Sequence, residues 1–181
     1  MSSVTKVTGT GANVDLSGND AWTSTSNITA NNNSYAQALI SDGANSDYLT
    51  ATNFGFSIPS GDTIDGITVV IEHNCNYPDI EDNIVKLYNG TSLVGDNKAS
   101  ATMWNNNDEV FTYGGATDTW AASLTVTQIN SSGFGVYLSA TNTFDWDTTE
   151  ALCDYIQITI YHTEAVGGGS SSQSRVMFIG L

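Results

Sequence analysis

Two tryptophans sit in loop-like stretches crowded with amides and carboxylates: Trp104 in MWNNNDE and Trp146 in FDWDTTE. A sugar-binding surface needs a flat apolar ring for the C–H face of the sugar and fixed amides for its hydroxyls. The same rings would serve equally at a core edge or in a subunit interface. Their surroundings leave these three roles open. Trp22 and Trp120 are expected in the core.

Other groups that could do chemistry are less pointed. Asp79, Glu81 and Asp82 in PDIEDN, and Asp145 and Asp147, are oxygen-rich in the way a Ca²⁺ loop is. Neither set follows the EF-hand spacing, and solvated loops are the simpler expectation. Paired carboxylates suit glycoside hydrolysis, but with 19 acidic residues some pair meets the required distance by chance. His73 and His162 end strong strand patterns with no converging partners, so they are expected at the surface. There is no nucleophile elbow and no phosphate loop. No catalytic, cofactor-binding or metal-ligating residue is therefore assigned. Cys75 and Cys153 read as small buried hydrophobes in strands, their pairing left open.

These groups need a scaffold, and composition says which kind. The chain has 181 residues, a normal size for one compact domain, and 40% of them are hydrophobic. Only 13% are charged, and Thr, Ser, Asn and Gly are abundant, which favours strands and turns. The net charge of −15 repels phosphate backbones and anionic lipid, so neither nucleic acid nor membrane is an expected partner. MSSVTKVTGTGANVD lacks the apolar stretch of a signal peptide, which predicts synthesis in a host cytoplasm with no Sec export, so that any place outside the cell is reached by another route such as lysis.

Alternation does the rest. Segments 35–40, 47–52 and 54–58 have strand character, with Phe54, Phe56 and Ile58 sharing a face. TIDGITVVIEH (63–73) is a strong strand with a bend at Gly66. NIVKLY and TSLV flank Asn89-Gly90, a pair preferred in tight hairpins. FGVYLSA (134–140) and YIQITIY (155–161) are two more strands, the latter half-buried. TVTQIN (125–130) suggests one helical turn. Eight to ten strands and no long helical period predict an all-β antiparallel sandwich of jelly-roll type with extended terminal arms. The expected divisions are an N-terminal arm (1–17), the sandwich (18–164), and a Gly/Ser linker with an apolar C-terminal arm (165–181).

Taken together, GNDAWTSTSNITANNNSYAQALI, DYLTATNFGFSIPSGDTIDGITVVIE, VKLYNGTSLVGDNKAS, INSSGFGVYLSAT and DYIQITIYHT resemble a β-sandwich domain of tailed-phage structural proteins, over residues 12 to 163. That group comprises capsid decoration (cement) proteins, head fibres and tail-fibre modules. The resemblance implies a non-enzymatic virion protein on the capsid surface. It would form a homotrimer, bind the major capsid protein and staple capsomers together. The alternative it leaves is a carbohydrate-binding adhesin module of a tail or head fibre, using Trp104 and Trp146 on a glycan.

The last residues, Arg175 and then VMFIGL, follow GGGSSSQS. Val176, Met177, Phe178, Ile179 and Leu181 cannot fold alone, and burying each large side chain is worth about 1.5–3 kcal/mol. They are expected to act as an assembly arm on a neighbouring subunit, with folding back onto their own sandwich as the competing expectation. Arg175 could pair with an acidic patch at the receiving surface.

Overall fold

The computed structural model describes residues 1–144 and 147–165. The long strands come where apolar residues alternate with polar ones. They are β4 (Ala36–Ile40), β5 (Tyr48–Thr52), β6 (Thr63–Cys75), β7 (Ile80–Asn89), β9 (Glu109–Gly115), β10 (Phe134–Asn142) and β11 (Thr149–Thr163). Short strands β3 (Trp22–Thr23) and β8 (Leu93–Val94) complete the edges. One sheet runs β3-β4-β11-β6-β9 and the other runs from β2 (Thr10–Val14) through β5, β10 and β7 to β8, all pairs antiparallel. From β4 to β7, and again from β9 to β11, successive strands alternate between the sheets, the jelly-roll manner of connection.

The N-terminal stretch is not a free arm. β1 (Ser2–Val7) pairs with the C-terminal half of β11 in the first sheet. β2 (Thr10–Val14) pairs with β5 in the second. Thr8 makes the crossing, its hydroxyl donating to the carbonyls of Thr10 and Thr52. The first 14 residues thus tie one sheet to the other.

The core lies between the sheets. Ile67, Val69 and Ile71 of β6 and Ile156, Ile158 and Ile160 of β11 face Leu87 of β7 and Phe134, Val136 and Leu138 of β10, all buried. Trp22 and Trp120 are core residues, and Cys75 and Cys153 are free and buried. Phe54, Phe56 and Ile58 share a buried face as their alternation requires, yet 53–59 pairs with no strand. Trp120 sits at φ +59 with its Nε1–H donating to the Ile67 carbonyl at 2.9 Å. Gly114, at φ +74, passes directly beneath it. A Cβ there would collide with both the indole nitrogen and the Ile67 carbonyl.

The hairpin between β7 and β8 is displaced by one residue from its expected centre. Asn89 N–H donates to Ser92 O at 3.1 Å, which puts Gly90 and Thr91 at the tip. Asn89 stays at the corner because its side-chain oxygen accepts from the N–H groups of Thr91 and Ser92.

The single α-helical turn, α1 (Val126–Ile129), has a complete capping box. Gln128 N–H donates to Thr125 Oγ1, and the Gln128 side chain accepts from Thr125 N–H. Replacing Thr125 by alanine should cost about 1 kcal/mol, read as a lower midpoint in urea with an unchanged slope.

Candidate functional site

The segments that carry the two loop tryptophans meet, through their described residues, at one end of the sandwich. The joint is Thr143, which follows β10. Its N–H and its hydroxyl both donate to the Asp79 carbonyl, at 2.8 and 2.9 Å, and the hydroxyl reaches Met103 Sδ at 3.7 Å. The segments 76–79 and 100–108 and the described residues 143–144 therefore form one surface.

Each is held from below. Segment 76–79 links β6 to β7; Asn76 N–H donates to Glu150 O at 3.2 Å. In 143–148, the Asn142 side chain donates to the carbonyls of Ile40 and Asp147 and accepts from Phe144 N–H. Segment 100–108 is anchored at Asp82, an inward-facing residue of β7. The Asp82 carboxylate accepts from Ser100 N–H at 2.9 Å, Trp104 Nε1–H at 3.0 Å and Tyr113 O–H at 2.8 Å. Burial pushes this carboxyl above its ordinary range, and the three donors pull the other way. Burial also pushes the Cys75 thiol up to about 11, so it stays a thiol and donates to Trp104 O at 3.2 Å.

Trp104 is consequently not a surface ring. It is fully buried, its N–H donates to Ile80 O, and its ring stacks on His73 at 3.8 Å between centroids. Neither face is open to a sugar or to a neighbouring subunit, so Trp104 is a core residue and not a contact. Trp146 and Asp145 lie outside the described residues, as do Arg175, Val176, Met177, Phe178, Ile179 and Leu181.

The exposed large side chains on this end are different ones. Tyr77 is 63% exposed, Phe144 44% and Met103 42%. Asn76, Asn105, Asn106 and Asn107, on two of the same segments, are exposed as well. Sequence reading passed over Tyr77 because NYPD reads as a plain turn. Its signal was the aromatic residue at a turn tip, where packing asks for none.

Both histidines, expected at the surface, are buried. His162 Nδ1 lies 2.7 Å from Asp62 Oδ2. His73 is sandwiched between Trp104 and Phe111, and among the described residues neither ring nitrogen has a hydrogen-bond partner. Burial lowers it to about 3, so the ring is neutral. Asp82, one of the three acids considered for calcium, points into the core with its oxygens taken. Among the described residues no group of three acidic, His or Cys side chains is placed to hold a metal.

A second aromatic group lies on the outer face of the second sheet. Tyr48, Tyr137 and Tyr88 stand on β5, β10 and β7, with centroids 5.5 and 4.6 Å apart. Tyr88 and Tyr137 are within 20° of parallel at roughly one strand spacing, so their faces are turned on each other.

No family model matches the chain, and no curated protein matches it. Solved structures align with it, and two of them are described as carbohydrate-binding. One, described as CBM4 structure and function, is 9% identical over 85% of this chain and 92% of its own, with a TM-score of 0.43. The other is the N-terminal cellulose-binding domain of Cellulomonas fimi β-1,4-glucanase C, 11% identical over 84% and 86%, with a TM-score of 0.40. The β-sandwich itself is plain from the strand pairing, and nothing in these likenesses points to a phage origin. At such scores neither likeness carries the reading that follows.

Proposed function

We propose that this chain is a non-catalytic glycan-binding β-sandwich module, and that its contact surface is the loop end bearing Tyr77, Met103 and Phe144. One observation carries the reading. Two aromatic rings are held in water, with exposed asparagines on the same surface, by loops whose backbones are fixed through Thr143, Asn142 and Asp82. Exposing Tyr77 gains nothing for folding, whereas a fixed ring beside amides suits a sugar. Asp79 and Asp108 lie on the same segments, and the net charge is −15. Sialylated or uronic-acid glycans are therefore repelled, and neutral ones fit.

The test is a glycan array followed by titration of the best neutral ligand. Tyr77→Ala and Phe144→Ala should each weaken binding about tenfold, equivalent to about 1.4 kcal/mol. Stability should move by less than about 0.5 kcal/mol, as for other surface substitutions. Unchanged affinity in both variants would remove this surface from consideration.

The exposed apolar trio also suits a protein interface, which is the observation favouring capsid decoration. On that reading the same two substitutions leave glycans unbound throughout and change assembly into a homotrimer or attachment to a major capsid protein on a virion.

A further inference from the structure

At the opposite end of the molecule a groove of about 480 Å³ opens between the segment entering β6 and the segment around α1. Its apolar lining is Ile64, Ile67, Ala122, Leu124 and Val126, and the rest is Gly61, Asp62 and Ser and Thr residues. Ile67 belongs to the buried core, and the other four are only partly covered, packed against it. The volume is within the range of about 300–1,000 Å³ that bound ligands fill. The groove has no aromatic platform and no cluster of ionised groups on its floor, so it suits an apolar guest.

The chain itself brings one to the rim. β11 ends at Thr163, and Ala165 N–H donates to Asp62 Oδ1 at 3.2 Å. A Cβ on Gly61 would lie 3.6 Å from the Ala165 side chain. Gly61 and Asp62 both line the groove. The described part of the chain therefore ends at the groove's edge, with residues 166–181 still to follow. The spacer 166–175 reaches at most about 33 Å when extended, more than a groove of this size needs. Beyond it come Val176, Met177, Phe178, Ile179 and Leu181, a set of side chains matched to the lining. Arg175 precedes them, and Asp62 and Asp65 stand at this rim, with Asp65 Oδ2 accepting from the Thr163 hydroxyl. A short tether supplies a millimolar effective concentration, so a weak intrinsic affinity suffices to fill the groove.

We infer that the groove is the receptor for the chain's own C-terminal segment, 176–181, bound in the same molecule. This replaces the expectation that the segment reaches first for a neighbour. Its proximity favours the local site by mass action, and an outside partner would have to compete the segment away. The inference is independent of the glycan reading, since the two surfaces lie at opposite ends.

The test uses the full chain with 13C-methyl methionine and leucine, isoleucine and valine labelling. The methionines are Met1, Met103 and Met177. Met177 should show cross-peaks to methyls of Ile64, Leu124 and Val126. Ala122→Trp, which fills the groove, should abolish them and move the Met177 methyl to its random-coil position. Phe178→Ser should do the same, and because it lies in the segment it cannot unfold the sandwich. A random-coil Met177 in the unaltered chain overturns the inference. So do cross-peaks that appear only between differently labelled copies, which would make a second molecule the host.

Discussion

Trp104→Ala should destabilise the protein by about 3–5 kcal/mol, the usual cost of emptying a large aromatic site in a core. The indole is fully buried and stacked on His73, so no water replaces it at low cost. For a domain with about 5–15 kcal/mol in total, that leaves a marginal fold. Trp104→Phe separates the two parts of the effect. It keeps a ring against His73 and takes away the hydrogen bond to Asp82 Oδ1. That loss alone should cost about 1–3 kcal/mol, because a buried carboxyl is left with one donor fewer. Urea unfolding of the three proteins decides the matter. If Trp104→Ala moves the midpoint by less than 1 kcal/mol equivalent, the ring is not where the fold places it. If it abolishes glycan binding in protein shown to be folded, while Trp104→Phe leaves both unchanged, the ring is a surface contact after all.

Trp104, whose sequence surroundings left core edge, interface and sugar contact open, shows what alternation can and cannot tell. β6, β10 and β11 were legible because strict period-two patterns record which face meets the core, and that record is local. Phe54, Phe56 and Ile58 obey the same rule without forming a strand. Alternation reports burial, and hydrogen-bond pairing depends on a neighbour elsewhere in the chain. MWNNNDE looks like a solvated loop by composition. Its tryptophan turns inward because Asp82, 22 residues earlier, is itself turned inward and needs a donor. Nothing local signals an acid on a core face. The N-terminal stretch was hard for a related reason. Small, polar residues suit either an arm or an edge strand, and the partners that decide are β11 and β5. The meeting of Met103 and Thr143 is a property of the sheet order, since their segments follow β8 and β10, which are not adjacent in sequence.

The same buried cluster predicts a pH response. His73 is neutral in the folded protein, its proton affinity lowered by burial to about 3 from an ordinary 6.5. Between those values the unfolded chain binds a proton that the folded one refuses, so stability falls as the pH drops through this window. The limiting slope is about 1.4 kcal/mol per pH unit, and from pH 7 to pH 5 the expected loss is about 2 kcal/mol. The groups packed around the ring are Trp104 and Phe111 on its faces and Asp82, whose carboxylate lies 4.0 Å from Nε2. Asp82 and, on the outer face, Glu72 are both raised by burial, so they take up protons in the folded state first and offset part of the loss at the acid end. His73→Phe isolates the imidazole. The ring still stacks between Trp104 and Phe111, and two unpartnered nitrogens disappear. At pH 7 its unfolding midpoint should match or exceed that of the parent, because an unpaired buried polar group is a cost. Between pH 7 and pH 5 it should lose about 2 kcal/mol less than the parent does. Parallel losses in the two proteins would show that His73 takes up its proton equally in both states, and with that the buried, unpartnered position assigned to it would fail.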